Sequence, residues 1–464
     1  MRNLAIEIND AGLVVVDENA VLCTEPGFAV VSGTEILTGA AAFAEARLQP
    51  RATSYSYWSK LSIEPGSAVV PGRRSTAELA HAQLERLWRT VGEGVDHVIF
   101  VVPSTFDFEA LGILLGIAEE CAIPTAAIVD AAVASSINPY PDQHLVYVDA
   151  DLHSVYVTPL EQSDRVTAET AATLESMGLS GVMDAFARRI GELFVLATRF
   201  DPFHEARTEQ QVYDGLSDVL SRLGRDGKAT FELTREDESF SIEIEQSQLL
   251  GAAQGFYRAV RQLIAQNRQS GTGLVVQLSD RLGALPGINA ELARLDATTI
   301  LPLEPGHAVK SVLASADALG LETDSVTLFR HMPWRGEPVS VELSSSAAES
   351  TLVPMEDDYA CPTHVVYCGV AYPINGEGVV VGRSKLDHRR AILLQAETQG
   401  VSRAHCELSV VDGELQLRDL SSYGTFVNDR RIEGDEILKA ADIIRVGSPG
   451  AELIVVREEE SDGT

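Results

Sequence analysis

The chain has 464 residues, 45% hydrophobic and 22% charged, with 68 Asp/Glu against 36 Lys/Arg and a formal net charge of −32. That length predicts two or three domains, and the composition is that of a folded globular protein, which excludes a disordered or fibrous chain. The acidity argues against nucleic acid or an anionic membrane surface as a partner, since both reward basic patches. No apolar run approaches the roughly 18–20 residues that cross a bilayer, and MRNLAIEIND lacks the apolar core and cleavage site of a signal peptide. Cys23, Cys121, Cys361, Cys368 and Cys406 are odd in number and widely spread, which suits reduced thiols in a cytoplasm better than a disulfide framework. The nearest metal-like spacing joins Cys361, His364 and Cys368, and no metal is expected there.

From the start, Leu4–Ile8 and Leu13–Val16 read as paired strands around the turn at Asn9–Gly12. Ser75-Thr76-Ala77-Glu78 is a capping-box pattern opening a helix whose Leu84, Leu87, Trp88 and Val91 share one face. The pattern then predicts a strand (His97–Val102), a helix (Phe106–Cys121), a strand (Thr125–Val129), a short helix (Ala131–Ser136) and two strands (Leu145–Val148, Ser154–Thr158). This alternation is that of an α/β domain.

The order and spacing resemble the actin/DnaK ATPase superfamily, most nearly its heat-shock chaperone branch. The segments that carry the likeness are Pro26–Leu61, Val101–Ser136, Leu274–Leu295 and Leu303–Leu319, while Glu161–Gly271 is faint. The resemblance implies a two-lobed, ribonuclease H-like ATPase-type domain over residues 1–320. Its nucleotide chemistry carries over poorly, because phosphate loops need Asp for metal-bound waters and Gly for close backbone approach. Glu7 takes the place of the usual first-loop Asp, and Asn9-Asp10 that of Gly-Thr. In the second loop Asp149 remains, but Asp151-Leu152-His153 fill Gly positions and Tyr156 replaces an Asp. Leu278-Ser279-Asp280 replaces the Gly-Gly-Ser of the adenosine turn. Ser59 aligns with the catalytic Lys, and a one-residue slip would put Lys60 there. Added side-chain bulk and carboxylates repel a polyphosphate, so the expectation is a pseudo-ATPase with no cofactor and no catalytic residue.

Residues 321–360 read as a connector, with Ser325–His331 and Pro338–Leu343 as a candidate hairpin and Ser344–Asp358 as a flexible linker. Thr351 in that linker is a candidate phosphorylation site. From Val365 on, short apolar runs alternate with turns: Val365–Val370, Gly378–Val381, His405–Val411, Glu414–Leu420, Thr425–Val427, Asp442–Val446 and Glu452–Val456. Asp412-Gly413 is a hairpin signal, and the whole reads as an all-β sandwich. Residues 361–464 hold 11 Lys/Arg and 17 Asp/Glu, so most of the acidity lies upstream.

Three loop motifs follow in order: Val381-Gly382-Arg383-Ser384, Val401-Ser402-Arg403-Ala404-His405, and Leu420-Ser421-Ser422-Tyr423-Gly424-Thr425-Phe426-Val427-Asn428. Residues 361–457 thereby resemble the forkhead-associated (FHA) domain, which implies phosphothreonine binding. A phosphothreonine is best held by a guanidinium fork and hydroxyl or backbone donors. The likeness gives Arg383 the phosphate, Ser402 a hydroxyl donor's place, Arg403 the flank of the peptide, and Ser422 the slot for the threonine methyl. Tyr423 replaces a common Asn that clasps the peptide backbone. Lys385, with Arg389 and Arg390, adds local positive charge, and His405, Gly424 and Asn428 support the loops. The tail at residues 458–464 is acidic.

The reading that follows is a cytoplasmic, more plausibly bacterial scaffold or adaptor. Its C-terminal module would recruit a threonine-phosphorylated protein, and another protein would dock on the N-terminal lobes. The alternatives are a divergent active ATPase using ATP and Mg2+, targeted to phosphorylated clients, and an actin-like assembly subunit.

Overall fold

The structure, a computed structural model, describes residues 2–65, 74–175, 177–236, 238–269, 271–321, 326–341, 364–367, 370–374, 378–384, 390–394, 401–411, 414–421, 424–427, 430–432, 434–438, 442–446 and 451–456. The chain divides into two compact units, Met1–Ala348 and Glu349–Thr464.

The N-terminal unit is a mixed α/β fold built on two sheets of matching topology. In the first, the strand Asn3–Glu7 pairs antiparallel with Leu13–Val16, which pairs antiparallel with Val21–Glu25. On its other side Asn3–Glu7 runs parallel to His97–Val102, and that strand runs parallel to Thr125–Asp130. In the second sheet Gln143–Ala150 pairs antiparallel with Val155–Gln162, followed by Arg165–Ala168. It too runs parallel to a fourth strand, Gly273–Leu278, which is parallel to a fifth, Thr298–Pro302. Both sheets thus have the order third, second, first, fourth, fifth. Each fifth strand leads to a helix, Ala131–Ser135 or His307–Leu313, and these two helices pack against one another.

The parallel strands are buried on both faces, so they read as unbroken apolar runs such as His97–Val102. Three apolar clusters follow. One surrounds Leu4, Trp58, Leu84 and Phe100 in the first half. A second surrounds Val148, Phe186, Leu220 and Leu274 in the second half. The third lies between the sheets and contains Ile99, Val101, Tyr147, Val275, Val133 and Val309. Ser75 caps the helix Thr76–Val91, its Oγ accepting from the Glu78 N–H at 3.2 Å, the N-cap half of the predicted capping box. Asp107 caps the helix Phe108–Glu120 in the same way, which starts it two residues later than its apolar pattern suggests.

The expected hairpin of Ser325–His331 with Pro338–Leu343 is not formed among the described residues, and Ser325, Glu342 and Leu343 lie outside them. Thr327–Phe329 joins the first sheet parallel to Thr125–Asp130, and His331–Pro333 joins the second antiparallel to Arg165–Ala168. Arg330 alone separates them, so each short strand satisfies the open edge of a different sheet. Arg335 then fastens this segment. Its guanidinium donates to the carbonyls of Ala134 (2.9 Å) and Ser136 (2.8 Å) at the C-terminal end of Ala131–Ser135, and to Ser311 Oγ (2.7 Å). Residues 326–341, read from composition as connector, therefore pack on the N-terminal core, where Phe329, Trp334 and Val341 lie against the third cluster. Ser344–Asp358 with Thr351, and the tail from 458, lie outside the described residues.

The C-terminal unit is a β-sandwich. One sheet runs Val370–Pro373, His364–Tyr367, Ala451–Val456, Ile443–Val446, Thr425–Val427, Arg430–Arg431. The other runs Ala391–Leu393, Val379–Gly382, Cys406–Val411, Glu414–Asp419, Asp435–Ile437. Inward-facing Val365, Val379, Val381, Cys406, Leu408, Leu415, Leu417, Ile444 and Leu453 form the core between them. The single strand expected over Val365–Val370 is in fact the junction of two, with Tyr367 facing Val370 across an antiparallel pair. Cys368 and Gly369, between the two strands, lie outside the described residues. The short strand Ala391–Leu393 runs parallel to Val379–Gly382.

Candidate functional site

At one end of the sandwich, three loops are tied together by hydrogen bonds. The strand Val379–Gly382 delivers Arg383, whose N–H donates to the Ser402 carbonyl at 3.2 Å, and the Ser384 N–H donates to the Arg403 carbonyl at 3.3 Å. The approach is close enough that a Cβ on Gly382 would lie 2.1 Å from the Arg403 carbonyl oxygen, so only glycine fits. His405, fully buried, connects these loops to the third. The Ser402 N–H donates to its Nδ1 at 3.1 Å, so Nε2 carries the proton and donates to the Gly424 carbonyl at 3.1 Å. Burial pushes the His405 pKa down, which keeps the ring neutral and its two roles fixed. Asp419 supports the third loop by accepting from the Ser421 N–H (2.9 Å) and the Thr425 hydroxyl (2.8 Å). Burial would raise the Asp419 pKa, but these bonds outweigh it and hold the carboxyl below its ordinary value. Arg383 and Arg403 are both exposed at this end. The structure thus brings together Arg383, Ser402, Arg403, His405 and Gly424, while Lys385, Ser422, Tyr423 and Asn428 lie outside the described residues.

In the N-terminal unit, the residues expected at a nucleotide site converge where the two sheets meet. Glu7 ends the first strand of one sheet, and Asp149 lies near the end of the first strand of the other. Between them lies Arg281, from the turn after Gly273–Leu278. One guanidinium nitrogen contacts both Asp149 oxygens at 3.0 and 2.8 Å, and the other hydrogen-bonds Glu7. Glu7 is 6% and Asp149 1% exposed, so this ion triad is shielded from water. Burial lowers the Arg281 pKa, yet Asp149, Glu7 and Asp280 more than reverse that and keep it charged. Glu7 remains above its ordinary value, because desolvation exceeds the pull of Arg281.

The neighbouring polar groups are also committed. Tyr156 donates its hydroxyl to Asp149 at 2.9 Å. Asn9 donates to the Ala150 carbonyl at 3.2 Å and accepts from the Ala11 N–H at 2.8 Å. Asp10 accepts from the N–H groups of Trp58 (2.9 Å) and Ser59 (3.0 Å), and burial pushes its pKa up to about 7. Asp151 closes its own turn by accepting from the N–H groups of His153 (2.6 Å) and Ser154 (2.7 Å). Ser279 is buried with its hydroxyl unpartnered. The N-terminal unit also holds a cleft of about 990 Å³, lined by Ser59, Lys60, Asp130, Asp151, His153 and Arg330 among others but by no member of the triad. Arg281 was absent from the sequence-derived site. The signal that could have found it is the need of two buried carboxylates, facing each other from equivalent strands, for a cation.

Residues 379–447 match the FHA domain family. The C-terminal unit contains an FHA domain. The match spans the sandwich from Val379–Gly382 to Ile443–Val446 and the three loops gathered around Arg383, His405 and Gly424. FHA domains bind phosphothreonine-containing proteins, and the match suggests phosphothreonine-dependent protein binding for this module. No curated protein matches the chain as a whole. Among the described residues no helix is long and apolar enough to cross a membrane, and no group of His, Cys, Asp and Glu is arranged to hold a metal ion.

Proposed function

We propose that the chain is a phosphothreonine-dependent adaptor. Its FHA domain recruits a partner phosphorylated on threonine, and its N-terminal unit is an actin/DnaK-like platform that docks a second protein without turning over nucleotide. Arg383 takes the phosphate, with Ser402 and Arg403 flanking it and the pair Ser422 and Tyr423 contacting the peptide. The actin/DnaK-like reading is supported by the duplicated strand order of the two sheets and by the paired helices that follow each fifth strand.

The observation that carries the loss of catalysis is Arg281. A guanidinium bound to Glu7 and Asp149 supplies from the protein itself the positive charge that a metal ion and its waters would bring. A charged arginine there also removes both carboxylates from any role as metal ligand or base. Asp10, Asn9 and Asp151 are likewise spent on the protein's own backbone. A second reading, a divergent ATPase acting on phosphorylated clients, draws on the 990 Å³ cleft beside Lys60.

The test is a pull-down from the native cytosol with the whole protein, the Arg383→Ala variant and a phosphatase-treated extract, beside a thermal melt with and without Mg-ATP. A partner lost in both controls, with an unmoved melting temperature, fits the adaptor. Retention of every partner in both controls refutes it, and a nucleotide-dependent rise in melting temperature restores the ATPase.

A further inference from the structure

We propose that Arg431 is a specificity-determining residue of the FHA domain, reading a carboxylate side chain on the bound peptide next to the phosphothreonine. This rests on the phosphothreonine reading above. The strand Thr425–Val427 turns back into Arg430–Arg431, which sets Arg431 opposite Phe426. From there its guanidinium folds over Gly424. A Cβ built on Gly424 would lie 2.5 Å from Nε and 3.0 Å from Cζ of Arg431, and Gly424 has φ +93°, so no other residue admits this packing.

Gly424 belongs to the gathered loops, since its carbonyl accepts from His405 and its N–H donates to Ser421 Oγ at 2.7 Å. It also directly follows the pair Ser422-Tyr423. Packing over Gly424 therefore places Arg431 next to the loop that the Ser402–His405–Gly424 hydrogen bonds hold.

Its electrostatic state singles it out. The other exposed arginines described in this unit are engaged: Arg418 makes a two-pronged pair with Asp435 at 2.7 and 2.6 Å, and Arg390 donates to the Pro373 carbonyl at 3.0 Å. Arg383, Arg403 and Arg431 are exposed and have no ion pair or hydrogen bond from their guanidinium groups among the described residues. In a chain with 68 acidic residues, three guanidiniums kept clear of carboxylates around one set of loops form a local positive face. The phosphate accounts for one or two of them. Arg431, lying over Gly424 with its guanidinium unpaired among the described residues, offers a planar fork that matches a carboxylate.

The experiment uses the full chain and a set of phosphothreonine peptides carrying a single Glu, a single Gln, or a second phosphate as phosphoserine at each flanking position. The wild type is expected to favour Glu over Gln at one position by up to about fivefold, the range of an exposed charge pair. Arg431→Gln should erase that preference while keeping the affinity for Gln peptides, and Arg431→Glu should invert it. Arg383→Ala should abolish binding to every peptide. A wild type indifferent to Glu, or a preference that survives in Arg431→Gln, overturns the proposal and leaves the phosphothreonine reading intact. A preference for the second phosphate alone overturns the carboxylate assignment. Failure of the wild type to bind any phosphothreonine peptide overturns both readings.

Discussion

Replacing Arg281 with methionine, which keeps the aliphatic bulk, strips the cation from between Glu7 and Asp149. Both carboxylates are nearly inaccessible, and no other Lys or Arg hydrogen-bonds them among the described residues. Breaking such a buried ion group by removing one member costs about 3–5 kcal/mol, because the remaining charges are neither solvated nor paired. One of the two acids should then take up a proton in the folded state. The unfolded chain releases that proton above about pH 4–5. The native state therefore binds more protons than the unfolded state, and stability falls as pH rises, by at most about 1.4 kcal/mol per pH unit. The deficit should be largest near pH 8 and smaller near pH 5. A triple variant, Glu7→Gln, Arg281→Met and Asp149→Asn, removes the stranded charges and should recover much of the loss. The assay is denaturant unfolding followed by tryptophan fluorescence. The three tryptophans, Trp58, Trp88 and Trp334, all lie in the N-terminal unit, so the signal reports that unit alone. A loss below about 1 kcal/mol in Arg281→Met, the size of an exposed pair, with no change in pH dependence, would refute the reasoning.

Two further outcomes are expected in the FHA domain. Gly382→Ala sets a Cβ against the Arg403 carbonyl, 2.1 Å away, and should push the first two loops apart. Phosphopeptide affinity should fall at least about tenfold, checked by calorimetry, for a displacement that costs one charge-assisted hydrogen bond; unchanged affinity would separate the loop contact from the site. His405 is held neutral with its pKa below the ordinary value, while the unfolded ring titrates near about 6.5. The unfolded state then binds the extra proton, so the domain should lose stability as pH falls from 7 toward 5. Hydrogen exchange of the Cys406–Val411 amides reads this out, and protection that is flat over that range would contradict the neutral, bridging ring.

Much of the FHA domain is legible along the chain because its information is local. Each reading loop is a contiguous run, from Gly382-Arg383 to Ser402-Arg403 and Gly424-Thr425, and the strands between them declare themselves by alternation. Helix starts at Ser75 and Asp107 are local as well, since a cap needs only the next few N–H groups. The paired strands at Leu4 and Leu13 and the apolar parallel strands follow from the same short-range pattern. Three-residue strands carry too little pattern to name a partner. Ser325–His331 was therefore readable as one arm of a hairpin, but not as Thr327–Phe329 and His331–Pro333 joining two different sheets, a choice made by which edges were open. Arg281 is the sharpest case. It lies 274 residues from Glu7 and 132 from Asp149, and in sequence it is an ordinary charged residue of a turn. Sequence by itself determined that Glu7, Asn9, Asp10, Asp149 and Asp151 bring bulky and acidic side chains to these turns, because it displays them one by one. Only the tertiary structure decided what fills their place, because a buried carboxylate pair exists only once two sheets, far apart in the chain, bring their first strands together and demand a cation from whatever is near.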